Sequence, residues 1–304
     1  MFLCLLILFS AASLFAITSH YTLRLKTPNL EVYAESPINA AQSATFARVD
    51  NKIDDMQMEL GIYVDRPASI YLVKDHASYQ RLALGKAHIV EFSDAFYSGG
   101  EQKIYIRPQA EVVDNYIKVI LHEYIHWYLE TIFEHTPLWF HEGMATQYSG
   151  QMGFERYVYF LQQSFLGQHS DLFRMSYAYP AKKEDWQIFY LSSSMAVRFM
   201  RDRKPNEWKR FWDTVAANKR NGHRAVFSEC FAFSYRTTMY DFHQQFATYT
   251  KSLRYQYLFW GFNSLLALLL PFVLIIGYSI RRKRMSRLPD LPEVEEEPEE
   301  MDSI

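Results

Sequence analysis

The sequence predicts an α+β protein: a small sheet-and-helix half, then a helical half, then a C-terminal membrane-spanning helix. Three observations predict it. Short apolar alternations bounded by Pro and Gly occur before about residue 110. From Val112 onward the apolar residues recur at helical spacing. An uncharged run from Tyr257 to Ile280 then ends on Arg281-Arg282-Lys283-Arg284.

Taken in order, Phe2 to Ile17 carries no charged side chain and resembles the apolar core of a secretory signal. It is short for a spanning helix, and it lacks an N-terminal Lys or Arg. Residues 1–18 are therefore read as a signal peptide or an N-terminal membrane anchor. Tyr21 to Ala34 reads as extended. Ala40 to Leu60 reads as a helix, with Phe46, Val49, Ile53, Met56 and Leu60 on one face. Pro67 precedes a short strand, Ser69 to Val73, and Ser78 to Leu84 reads as a short helix. Ser98-Gly99-Gly100 is a turn before a strand at Lys103 to Arg107, whose Ile104 and Ile106 share a face. Helices are then expected at 112–132, 137–149, 152–167, 184–202, 206–219 and 237–252. The expected organisation is one domain over 19–252, with halves at 19–110 and 111–252. A transmembrane helix at 257–280 and a tail at 281–304 follow it.

The uncharged run 257–280 would extend about 36 Å as a helix at 1.5 Å per residue, more than the roughly 30 Å hydrocarbon core of a bilayer. Trp260 and Tyr278 lie near its ends, where aromatic belts form, and Pro271 is tolerated in a membrane helix. The tail is basic and then acidic, with Glu295, Glu296, Glu297, Glu299 and Glu300, and has too little apolar surface to fold. The net charge of −2 offers no basic footprint for nucleic acid. Cys4 falls in the removable or membrane-embedded segment, so no disulfide with Cys230 is expected.

The chemistry-bearing residues lie near the junction of the two halves. His122-Glu123-Tyr124-Ile125-His126 is an H-E-x-x-H run within a helical pattern. Residues four apart project from one face, so the two imidazoles can share a zinc ion. Glu123 lies beside that face, where it can contact a metal-bound water and serve as the general base. A catalytic zinc needs a third protein ligand and one open position. Glu130 continues the i, i+4 spacing but would sit about 9 Å further along the helix axis, beyond a carboxylate's reach. It either orients a ligand histidine through the second ring nitrogen or is a surface acid. The third ligand must come from another element. Thr136-Pro137 reads as a helix start, with Thr136 as the cap and Pro137 as the first helical residue. That helix carries Glu142 beside Gly143 and Ala145, small residues that let a second helix approach closely. His141 adjoins Glu142 but projects about 100° away, so it is read as a supporting or surface residue and not a ligand.

His122-Glu-Tyr-Ile-His126 followed by Pro137-Leu-Trp-Phe-His-Glu142-Gly-Met-Ala145 resembles the gluzincin metallopeptidases, and most of all the bacterial peptidase MA-like group. The resemblance extends over about Ile70 to Lys251. It also takes in Lys103-Ile-Tyr-Ile-Arg107 and the stretch from Phe189-Tyr190 to Phe199. It implies a zincin-like catalytic domain and makes Glu142 the third zinc ligand beside His122 and His126. It also implies that the strand at 103–107 is the substrate-binding edge and that Tyr190 is a candidate for stabilising the oxyanion.

The expectation is thus a membrane-anchored zinc metallopeptidase, a hydrolase acting on a peptide or protein substrate with no nucleic-acid partner. The basic cluster at 281–284 would hold the tail in the cytoplasm, with the catalytic domain periplasmic or extracellular on a single-pass cell-membrane protein. Arg24 and Lys26 would then be translocated, which costs less than exporting four consecutive basic residues. Two other readings use the same residues. One is a non-proteolytic zinc amide hydrolase of the cell envelope. The other is a catalytically idle envelope assembly or sensor domain, which would have no need of Glu123.

Overall fold

Pro28 splits the N-terminal extended stretch into two strands, β1 (Thr22–Lys26) and β2 (Leu30–Ala34), which pair antiparallel around a turn closed by Thr27 N–H on Leu30 O. The computed structural model describes residues 21–84, 94–107, 113–167 and 171–286. The expected signal or anchor at 1–18 and the acidic stretch from 287 onward lie outside the described residues. The chain divides into two compact units, Met1–Arg254 and Tyr255–Ile304.

In the first unit, β2 leads into α1 (Ala40–Leu60). Its start is fixed by a capping box, in which Asn39 Oδ1 accepts from Gln42 N–H and Gln42 Oε1 accepts from Asn39 N–H. Gly61 ends the helix at φ 69°, a left-handed turn that glycine adopts without steric cost. The buried face is Phe46, Val49, Ile53, Met56 and Leu60, as the spacing predicts. The strand β3 (Ala68–Leu72) then returns parallel to β2. The helix α2 (His76–Ala83) is capped by the Asp75 carboxylate on Ser78 N–H.

A hairpin follows, β4 (Ala95–Ser98) and β5 (Lys103–Ile106), turning through Gly99 and Gly100. The five strands form one mixed sheet in the order β1-β2-β3-β5-β4. Val32, Ile70 and Ile104 stand in one row across it and are fully buried. On the opposite face Phe96 and Tyr105 pack beneath α2 against Tyr79 and Leu82. One expectation is corrected here. The strand at 103–107 is not an edge of the sheet, because β5 is paired on one side with β3 and on the other with β4. Among the described residues the outer strand on that side is β4, whose four residues are too short to show an alternation in the sequence.

The active-face helix α3 (Val113–Ile132) packs against α1, β4 and β5. It leads through β6 (Phe133–Glu134) to α4 (Leu138–Tyr148). Pro137 is the cap of α4 and not its first helical residue. Its ψ of 143° is extended, and its carbonyl accepts from Phe140 N–H and His141 N–H. Then come α5 (Phe154–Phe165), short 3-10 turns at Arg174–Ser176 and Lys183–Asp185, α6 (Trp186–Arg203) and α7 (Pro205–Arg220). A two-residue strand β7 (Ala225–Val226) pairs parallel with β6, and α8 (Phe227–Tyr235) follows. Neither β7 nor α8 was expected, since two residues and nine residues give little periodicity. Phe133, Phe140, Phe211, Trp212 and Phe227 join these elements in one buried aromatic cluster.

The expected helix at 237–252 and the apolar run at 257–280 are one continuous helix, α9 (Met239–Met285), with Pro271 inside it. It is the one helix among the described residues long and apolar enough to span a membrane, with mean hydropathy 2.2 over its apolar window. In the second unit Leu258 to Ile280 expose their large apolar side chains throughout.

Two helices approach closely at Gly143 of α4. A Cβ placed there would lie 2.4 Å from Ser193 O and 2.6 Å from Val197 Cγ2 of α6. Alanine gains up to about 1 kcal/mol of helix propensity over glycine. Overpacking against a rigid backbone costs about 1–3 kcal/mol, so the clash should win. Gly143→Ala is expected to lower the thermal unfolding midpoint; a rise would mean that α4 and α6 separate without cost.

Candidate metal centre

Two helices bring the sequence-predicted ligands together. His122 and His126 project from one face of α3, with ring centroids 4.9 Å apart. The helix α4 crosses that face and carries Glu142 inward, where it is 2 % exposed. Glu142 Oε2 lies 3.3 Å from His122 Nε2 and 3.7 Å from His126 Nε2. The candidate ligand atoms of the three residues all fall within 4.8 Å of one another. Two ligand atoms held at about 2.0–2.1 Å from one ion at tetrahedral angles are themselves about 3.4 Å apart. The separations fit such a site.

The carboxylate supplies a second test. Glu142 Oε2 is buried with no hydrogen-bond donor. A buried carboxylate oxygen without a partner is costly, and this one faces two imidazole nitrogens. Burial pushes the Glu142 carboxyl up, but His126 and His122 outweigh it and hold the pKa at about 2. Burial pulls His122 down, yet the facing Glu142 raises its affinity for a proton on balance. Burial lowers His126 to about 3 despite Glu142. The carboxyl is thus held ionised and at least one imidazole neutral, the forms in which each binds a metal. Two nitrogens and a carboxylate oxygen, from residues the sequence singles out, can hold a metal ion.

Glu123 stands apart from this trio. Its Oε2 accepts from Tyr97 N–H of β4 at 2.8 Å. Burial, with Glu142 adding to it, raises its pKa to about 7 against the pull of His122 and of that N–H. A carboxyl poised there can take up and give back a proton near neutrality.

Glu130 accepts from the hydroxyl of Tyr97 at 2.8 Å. Of the two roles open to it in the sequence, the bond it makes is with the edge strand. A Cβ on Gly99 would come within 2.9 Å of Glu130 Oε1, so the hairpin turn is shaped to admit that carboxylate. His141 lies with its Nδ1 3.5 Å from His126 Nδ1, beside a ligand rather than among the three. Burial lowers His141 to about 4. Tyr190 of α6 presents its ring 6.4 Å from that of His122, and burial raises its phenol strongly.

No protein-family model matches the chain, and no curated protein matches it.

Sequence reasoning missed two residues that touch this centre. Tyr97 holds Glu123 and Glu130 of α3, and its strand is too short to be read. Tyr179 donates its hydroxyl to Glu142 Oε1 from an irregular segment between the two 3-10 turns. Such a segment carries no periodicity to mark a functional side chain.

Metal content separates the two candidate carboxylates. Glu142→Ala is expected to lower bound zinc by at least ~10-fold, and Glu130→Ala to change it less. Elemental analysis of both purified variants checks this. An emptied site in Glu130→Ala with an intact one in Glu142→Ala would reverse the assignment.

Proposed function

We propose that the chain is a membrane-anchored zinc metallopeptidase of zincin-like fold. The observation that carries the reading is Glu142 Oε2, buried without a donor and turned toward the Nε2 atoms of His122 and His126. Support comes from Glu123, which sits next to the trio but outside it, with a pKa raised to about 7. His122, His126 and Glu142 would hold the zinc. When bound there, the metal would supply a Lewis acid and lower the pKa of a water to about 7. Glu123 would accept a proton and return it to the departing amine as the C–N bond breaks. Tyr97 N–H holds one carboxylate oxygen of Glu123, leaving the other to accept the proton. The hydroxyl of Tyr190 supports the carbonyl oxygen of the scissile bond as it gains charge. An extended peptide would lie along β4, the outer strand of the sheet next to Glu123.

Apolar side chains exposed from Leu258 to Ile280 suit lipid, and Arg281 to Arg284 at the end of α9 favour the cytoplasmic side. The metallopeptidase unit then lies outside the cytoplasm.

Glu123→Gln should retain zinc, because the three ligands remain, and lose activity on an unfolded protein substrate by about 100-fold or more. Near-normal turnover by the zinc-loaded variant would remove Glu123 from the role of base. For topology, alkaline phosphatase fused after Lys251 is expected to be active, and fused after Asp302 to be silent. The opposite pattern would place the unit in the cytoplasm.

A further inference from the structure

We infer that Tyr179 is a positioning residue for the metal centre. Its phenol occupies one oxygen of Glu142 and so presents the other, alone, to the ion. This rests on the reading of His122, His126 and Glu142 as ligands.

The two oxygens of Glu142 have different surroundings. Oε1 accepts from the Tyr179 hydroxyl, and Oε2 faces the two imidazoles with no donor. A carboxylate free to rotate can bind an ion through both oxygens and fill a fourth position. A carboxylate with one oxygen already taken by a phenol binds through the other only. Catalysis needs that difference, because water must have a coordination position to occupy. Partners of this kind, one step removed from the ion, fix ligand geometry and affinity together.

The phenol is itself held. Its ring lies 5.5 Å from that of Phe189, which is fully buried in α6. The next residue, Pro180, accepts at its carbonyl from the Trp186 indole N–H at 2.8 Å. Trp186 opens α6, and Ser193 and Val197 of the same helix set the closeness of α4 at Gly143. One helix thus places both the carboxylate and the hydroxyl that aims it.

Titration of the purified full-length chain with zinc against a competing chelator tests the inference, with cobalt absorption as the geometric readout. Tyr179→Phe is expected to weaken zinc binding by about 10–100-fold. Its cobalt form should show a visible spectrum changed from the parent's, as the second carboxylate oxygen enters the coordination shell. Trp186→Phe, which removes the anchor on Pro180, should shift both readouts in the same direction by less. Tyr177→Phe, an exposed phenol of the same segment, should leave both unchanged. The metal-free Tyr179→Phe protein should keep the parental fold by circular dichroism and melt only a few degrees lower, since a buried carboxylate loses a donor, which separates ligand positioning from global unfolding. Parental affinity and parental cobalt spectrum in Tyr179→Phe would overturn the role of Tyr179 while leaving the ligand set intact. A parent chain that binds neither ion would overturn the ligand set itself.

Discussion

A carboxylate turned inward with only one of its two oxygens given a donor is the constraint around which the helical half is arranged. Glu142 sits at 2 % exposure with one oxygen bare. Burying such a group is unfavourable unless positive charge meets it. Among the described residues, that charge comes from His122 and His126, themselves mostly buried. The three residues therefore depend on one another, and their mutual position must be held by packing that does not yield. The Gly143–Ser193 approach provides it on one side, and the aromatic cluster around Phe140, Phe133 and Phe211 on the other.

The sheet half has a different task. Its row of fully buried Val32, Ile70 and Ile104 gives α3 a rigid floor, and its edge strand reaches the acidic residues of that helix. Tyr97 serves both of them, Glu123 through the backbone and Glu130 through the phenol. Edge strands expose unpaired backbone groups. Here one such group is turned onto the side chain proposed as the general base. The strand thus fixes that carboxylate.

Opposed pKa values follow from this packing. Glu123 and Glu142 are both buried acids, yet one is raised to about 7 and the other held at about 2. The difference is the company each keeps: Glu142 has two facing imidazoles, while Glu123 has a single N–H and a neighbouring like charge. Carboxylates separated in this way can divide ligand and proton-transfer roles between them.

The sequence by itself determined what periodicity and local chemistry encode. The His-Glu-x-x-His spacing put two imidazoles on one helix face, because four residues make just over one turn. Helix α1 was legible to the residue from its apolar stripe, and the uncharged run at 257–280 marked a helix long enough to cross a bilayer. Beside Glu142, the Gly-Met-Ala run announced a close helix contact without naming its partner. Tertiary structure alone decided that the partner is Ser193 of α6, that β4 and not β5 is the sheet edge, and that Tyr97 and Tyr179 grip the acidic groups. The physical reason is the same in each case. A strand of four residues and an irregular segment between two short turns have no repeat for the sequence to display. Their positions are set by what the rest of the chain leaves for them to pair with.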